Sequence, residues 1–342
     1  MVIAWPYGHA RKVRLIGLGG SSGTYSLVYR SSDETTSSTA VADQTTPDSS
    51  ALPPRTPHVL TVDLEDWHQL FFRQVTGGSR EVSRNVVADT ELVLELLAQS
   101  HTSATFFVVG MVASAFPELV RRVADAGHEI GCHTFDHRLL YALQPSELKA
   151  DIERSRASLQ DLCGQAVLSF RAPAFSVGSL RNEAFFTTLA EAGFECDSSV
   201  FPVAGLRYGI PEAPPRPFVI ETGSGPIHEF PLATWSLHGV RLPVAGGTYF
   251  RFMPGRFLEH VATGLDADGE TCTFYVHPYE FHHGLLHVSG LTWHDRLHAP
   301  YARHIILHNL FTASICERWG ALLARHRFVS IGELHDSGSF AD

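Results

Sequence analysis

The chain has 342 residues, 44% of them apolar and 18% charged, a balance that fits a globular protein with one large domain and appendages. Its formal net charge of −10 argues against a nucleic-acid binder, which would present a basic surface. No run approaches the roughly 18 apolar residues of a spanning helix. Arg11, Lys12 and Arg14 precede no uninterrupted apolar stretch, so no secretory signal is read and the cytoplasm is the expected compartment.

Residues 1–57 form a first segment, read as disordered because 31–57 is rich in Ser, Thr, Asp and Pro and can bury little apolar surface. Its glycine run Gly17 to Gly23 fits neither a dinucleotide nor a P-loop spacing. From His58 the pattern changes. Val59–Val62 reads as a strand, 85–99 as a helix, Ala104–Val109 as a strand, and Phe116–Ala126 as a helix closed by Gly127. His128–Cys132 follows as a strand. Ser146 is the expected N-cap of a helix running to about Cys163 and closed by Gly164. Val167–Phe170 reads as a strand, Asn182–Ala192 as a helix ended by Gly193, and Phe194–Cys196 and Thr271–Val276 as extended segments. Strand and helix alternate with short connections, which implies parallel strands covered by helices, in an α/β barrel or an open sheet. Cys132, Cys163, Cys196, Cys272 and Cys316 are scattered and form no CxxC pair, so buried free thiols are expected rather than a disulfide framework or a thiolate zinc site.

Reactive side chains follow the strands at once. Val59–Val62 leads to Asp63-Leu64-Glu65-Asp66-Trp67-His68, and His128–Cys132 to His133-Thr134-Phe135-Asp136-His137. Val167–Phe170 leads to Arg171-Ala172-Pro173-Ala174, Phe194–Cys196 to Asp197, and Thr271–Val276 to His277-Pro278-Tyr279-Glu280. In a parallel barrel all such ends open on one face, where active sites are built.

His133 and His137, four apart, can face one point from a helical turn or a tight loop. Among 20 histidines such a pair is weak evidence by itself, and a solvated pair is an ordinary outcome. A carboxylate cluster at another strand end changes the reading, because two His and one Asp or Glu leave open positions on a divalent ion such as Zn2+, as a catalytic site requires. Hydrolysis then needs a base, an acid for the leaving group and a donor for the oxyanion. The 63–66 cluster holds more carboxylates than a metal needs, so one can act as the base. His277 can be the acid, and Arg171 can pair with the base carboxylate.

These segments resemble the polysaccharide deacetylases with a NodB-homology domain, carbohydrate esterase family four. The resemblance lies in Thr61-Val62-Asp63-Leu64-Glu65-Asp66-Trp67, Ser103 to Gly110, Gly127 to His137, Phe170-Arg171-Ala172-Pro173, Asp197 and His277-Pro278, over about 58–335. A subgroup tied to exopolysaccharide loci of the exosortase/PEP-CTERM type is similar also in Gly246-Gly247-Thr248-Tyr249-Phe250-Arg251, His277-Pro278-Tyr279-Glu280 and Arg327 to Leu334. The resemblance implies a distorted (β/α)7 barrel over 58–285, followed by a C-terminal helical extension over 286–342 that packs on it. It implies hydrolysis of N-acetyl groups on a polysaccharide or oligosaccharide. His133 and His137 would be metal ligands, Asp63 the base oriented by Arg171, and His277 the acid tuned by Asp197. The backbone near Ala174 would help hold the oxyanion.

Where the family has adjacent aspartates, Leu64 intervenes here, which leaves Glu65 and Asp66 as rival third ligands. An alternative makes Glu65 the base and Asp66 the ligand. Trp67, Pro173, Ala174 and Tyr249 are the expected substrate contacts, although each aromatic, like Trp235 and Phe250, is equally suited to the core. Two other functions compete: a metal-independent ring-amide hydrolase of allantoinase type, and a catalytically inactive carbohydrate-binding protein.

Overall fold

The computed structural model describes residues 56–205, 209–297 and 305–338. The segment 1–57, read above as disordered, lies almost wholly outside these. The architecture starts from strands that are buried along their whole length. β1 (His58–Leu64), β2 (Thr105–Val108) and β10 (Thr273–Val276) are buried at every position, as expected for parallel strands covered on both sides. They join β3 (Glu129–Cys132), β4 (Ser169–Phe170), β5 (Cys196–Asp197) and β7 (Gly225–Glu229) in the parallel order β10–β1–β2–β3–β4–β5–β7. β6 (Phe218–Thr222) adds antiparallel to β7. Isolated parallel bridges Leu232–Thr273 and Gly246–Tyr275 bring the chain beyond β7 alongside β10. Seven parallel strands therefore curl into a distorted, incompletely closed barrel. A Cβ at Gly246 would lie 1.8 Å from the Tyr275 carbonyl oxygen; only glycine lets the closing segment approach β10 this closely.

Alternation divides each strand between two sides. On β1, Leu60, Val62 and Leu64 join the core beneath the helices, while Val59 packs inside with Phe107, Cys196 and Phe230. Thr61 and Asp63 share the inner side and both bond Arg171.

The helices read from sequence appear close to their expected bounds, at Asn85–Ser100, Pro117–Asp125, Pro145–Cys163 and Glu183–Glu191. One cap differs: Gln144, not Ser146, caps the helix that starts at Pro145, in a capping box with Glu147. Proline at the first helical position fixes the entry two residues earlier than the serine suggests. All five cysteines are free, three of them buried, Cys163 half-buried and Cys316 exposed. The hairpins β6–β7 and Thr234–Leu237 with Val240–Pro243, and the helix Gly255–Asp268, fill a stretch where no elements were expected.

The C-terminal stretch beyond 286 includes the helix Ile315–Arg325 and a strand, β11 (Phe328–Val329), that pairs in parallel with the start of β1. The helix Ile331–Ser337 then sets its first amides on the barrel base. Gly332 N–H donates to Glu129 Oε2 at 2.8 Å and Ile331 N–H to Thr105 Oγ1 at 2.8 Å. A carboxylate beneath a helix N-terminus is favourable in both hydrogen bonding and dipole. No helix among the described residues is long and apolar enough to cross a membrane.

Candidate active site

The C-terminal end of β1 aims Asp63 into the barrel mouth, 3% exposed. Arg171, one residue past β4 and fully buried, donates from Nη1 to Asp63 Oδ1 and to Thr61 Oγ1, each at 2.7 Å. Its Nε and Nη2 donate to the carbonyl and hydroxyl of Ser198 at 2.8 and 2.6 Å, and its guanidinium lies 4.4 Å from the Phe107 ring centroid. A guanidinium satisfied on this many sides cannot swing, so it fixes the orientation of Asp63.

The backbone turns after Leu64 and brings Glu65 to the imidazoles. Glu65 Oε2 lies 2.8 Å from His137 Nε2 and 3.9 Å from His133 Nε2. His133 Nδ1 lies 2.8 Å from the Arg171 carbonyl; a proton there leaves the Nε2 lone pair facing Glu65. His133 and His137 sit in a loop, not a helix. Thr134 and His137 both adopt left-handed backbone, φ 61° and 52°. Ala174 and Phe175, in the turn after Arg171, do the same at 49° and 53°. Each such residue costs about 1–3 kcal/mol and persists where its surroundings dictate it. Arg73 helps to hold the His137 turn, donating to the carbonyls of Asp136 and His137 at 2.6 and 2.9 Å.

One donor atom from each of Glu65, His133 and His137 lies within 4.8 Å of the others. A tetrahedral ion with bonds near 2.0–2.1 Å would separate its ligands by roughly 3.3 Å, so the donor set and its spacing fit a zinc-like cation. Burial alone would push the Glu65 carboxyl up, but the charge and hydrogen bond of His137, then His277 and His133, hold it down to about 2. Burial lowers His133 to about 4 against the pull of Asp63 and Glu65. An ionised carboxylate beside a neutral imidazole is the ligand state that a metal requires.

His277 closes the other side. Its Nε2 is 3.9 Å from Asp63 Oδ2 and 3.7 Å from Glu65 Oε1, and its ring stacks on Tyr279 at 4.7 Å. Burial works to lower its pKa, yet Glu280 first, then Glu65 and Asp63, raise it above the usual histidine value. Glu280 Oε2 lies 3.8 Å from His277 Nδ1, ion-pair rather than hydrogen-bond distance, and accepts from His277 N–H at 3.2 Å. Glu280 is itself paired with the buried Arg251.

Several expectations are redirected. The Asp66 carboxylate does not join the Glu65–His133–His137 cluster. It caps the helix Trp67–Thr76, accepting from His68 and Gln69 N–H, and pins the loop by accepting from Ser83 N–H at 2.6 Å and Ser83 Oγ at 2.9 Å. Leu64 takes the outward position, so the next side chain able to face the histidines is Glu65. Asp197, expected to tune His277, lies on the opposite side of the sheet from Arg171 and Ser198 by strand alternation. There it accepts from Ser199 Oγ at 2.6 Å and forms a buried acid pair with Glu229. The partner of His277 is instead Glu280, within the segment His277 to Glu280; its three-residue spacing as a capping pair was the available signal.

Trp67 is 5% exposed and stacks on Phe71 at 4.9 Å, so it offers no face to a sugar. Pro173 is buried and Ala174 exposed at the left-handed turn. Tyr249 is half-buried and packs edge-on to Phe201 at 6.4 Å, which packs on Phe175. Arg251 and Arg73 were given no role from sequence. Their contribution is to hold other groups, which leaves no local spacing to read.

Two imidazoles and a carboxylate at the C-terminal mouth of a parallel α/β barrel, beside a second carboxylate and a third imidazole, have the make-up of a metal-assisted hydrolase. The comparisons with known proteins agree. Residues 83–196 match the family model "Polysaccharide deacetylase", and 198–336 match DUF3473, a domain of unknown function. The chain thus carries a polysaccharide deacetylase domain, joined to DUF3473, and is homologous to carbohydrate esterase family four hydrolases. It is 39% identical over 108 residues to a peptidoglycan-N-acetylglucosamine deacetylase of Bacillus cereus, across 31% of this chain and 47% of that protein. It is 37% identical over 75 residues to a chitooligosaccharide deacetylase of Bradyrhizobium, across 22% of this chain and 34% of that protein. The chain therefore spans less than half the length of these relatives. A crystal structure described as a polysaccharide deacetylase from Mycobacterium smegmatis superposes with a TM-score of 0.56 over 87% of this chain and 94% of that one, at 18% identity, which shows the shared fold.

Proposed function

We propose that the protein hydrolyses the acetamide C–N bond of N-acetylhexosamine units in a polysaccharide or oligosaccharide, with Glu65, His133 and His137 holding a divalent ion of the zinc class. The observation that carries this reading is the convergence of those three donors within 4.8 Å, beside Asp63 and His277. When bound, such an ion polarises the amide carbonyl and makes water more acidic. Asp63, fixed by Arg171, takes the proton of the attacking water. His277, held towards its charged form by Glu280, returns a proton to the leaving amine, so acetate and a free amino sugar result. Tyr249 and the exposed turn at Ala174 flank the mouth as sugar contacts.

A role in exopolysaccharide modification is supported by the segments that carry the subgroup resemblance. Arg251 of one pairs with Glu280 of another, and Gly332 of the terminal one rests on the barrel base. The test is acetate release from N-acetylated glycans with and without a chelator. Chelator-sensitive release that His133→Ala abolishes is the expected result. Activity of metal-free protein on a small ureide would favour a ring-amide hydrolase, and metal plus glycan binding without acetate would favour an inactive binding protein.

A further inference from the structure

The barrel has a second cluster of two imidazoles and a carboxylate, far along the sheet from the first. His58 opens β1, Asp266 lies on the helix Gly255–Asp268, and His326 follows the helix Ile315–Arg325, two residues before β11. One donor atom from each lies within 4.8 Å of the other two. His58 Nε2 is 3.2 Å from Asp266 Oδ1, and His326 Nδ1 is 2.6 Å from Asp266 Oδ2. Glu259, two turns back on the same helix, brings a second carboxylate 3.6 Å from His326 Nε2, where it also pairs with Arg325.

The burial of this cluster is what asks for a ligand. His58 is fully buried, and neither of its ring nitrogens has a hydrogen-bond partner. Asp266 Oδ1, 3.2 Å away, also lacks one, because the pair is close but not aligned for donation. A buried imidazole and a carboxylate oxygen that lie near each other without an aligned hydrogen bond are left at a cost that proteins avoid. A shared cation satisfies both. The rings of Phe274 and Phe328 pack 5.8 and 5.7 Å from His58 and close the site from the barrel side.

We propose that His58, Asp266 and His326 form a second metal site, structural rather than catalytic, which takes a divalent ion of the zinc class and ties the start of β1 to the C-terminal segment. Two imidazoles and a carboxylate suit such an ion. The cluster sits at the opposite strand ends from Asp63 and His277, so an ion there fastens β1 and β11 to the helix without touching substrate.

The test counts zinc bound per full-length chain after loading and removal of free ion. Native protein is expected to hold about two equivalents, Asp266→Asn about one, His133→Ala about one, and the double variant about none. Native protein with about one equivalent that His133→Ala removes would overturn the proposal, as would an undiminished zinc content in Asp266→Asn. If Asp266→Asn lowers the content but His133→Ala does not, the base site stands and the reading of the active site falls. Because Asp266→Asn can itself perturb folding, melting is followed as zinc is added to His133→Ala protein. A rise of several degrees is expected, from binding to the folded state alone; a flat profile would overturn the site.

Discussion

The two ends of the barrel each gather two histidines and a carboxylate, yet they are assembled in opposite ways. At the mouth, His133 and His137 come from one loop, and Glu65 from the turn after β1, two places along in the sheet from β3. At the base, positions 58, 266 and 326 come from three distant parts of the chain. The mouth holds its cluster on strained loop backbone, with Thr134 and His137 left-handed. The base holds its cluster on regular elements and their immediate flanks. Strained loops serve chemistry, where ligands must be aimed at substrate; regular elements serve fastening. The surroundings differ accordingly. The mouth adds Asp63, Arg171 and His277, groups that move or steer protons, whereas the base adds packing, a second carboxylate and the Arg325 that pairs with it.

Substitution at each end should separate these roles. His133→Ala is expected to lower deacetylase activity by about a thousandfold or more, because the polarising charge goes with the ligand; circular dichroism should show an unchanged fold. Asp266→Asn should leave kcat/KM within about threefold and lower the melting temperature instead. If Asp266→Asn silences acetate release while His133→Ala spares it, the assignment of the two ends is reversed.

Asp63→Asn tests the mouth more finely. Loss of a general base costs about 10²–10⁴ in kcat, and because Asp63 is not in the ligand cluster, zinc content should not change. Loss of zinc in that variant would move Asp63 into the metal shell.

Glu280→Gln should have a smaller effect, on the order of tenfold in kcat, with a shifted pH profile. Glu280 raises the His277 pKa. Activity that needs protonated His277 falls as pH rises through that pKa, so removing the carboxylate should move the alkaline limb to lower pH. An unmoved limb would separate Glu280 from His277.

The smallest expected effect lies outside both clusters. Burial, more than any other cause, raises Asp197 to about 6 and Glu229 well above its usual value, with the two carboxyls facing each other. Folded carboxyls with raised pKa bind protons more tightly than unfolded ones. Their stabilising contribution is therefore present at low pH and is lost as pH rises from about 4 through 6 and beyond. Glu229→Gln removes one titrating group, so urea unfolding should find it more stable than native by on the order of 1 kcal/mol at pH 8. That advantage should shrink at pH 5, and kcat should stay unchanged.

Much of the mouth could be read in the sequence because its residues come directly after buried strands. A short apolar run leading into Asp63, His133, Arg171 or His277 declares both a strand and the side of the sheet on which it ends. The spacing of His133 and His137 carried the metal expectation only together with the carboxylates at 63–66. For the choice between Glu65 and Asp66, alternation past Leu64 gave the sequence only a partial signal. The choice was completed by Ser83, seventeen residues on, whose amide and hydroxyl hold the Asp66 carboxylate away from the histidines. Trp67 likewise looked like a sugar platform until Phe71, Tyr279 and Leu286 enclosed it.

The sequence by itself determined the alternating α/β order, the order of the active-site segments and the chemical types at the mouth, because these depend on local periodicity and on the residues at each strand's C-terminal end. Tertiary structure alone decided that Asp197 faces away from Arg171 and Ser198, that β11 pairs with β1, and that His58, Asp266 and His326 meet. Those outcomes depend on which sides of distant strands face each other once the sheet curls, and a contact across some 200 residues leaves no mark on the residues beside it.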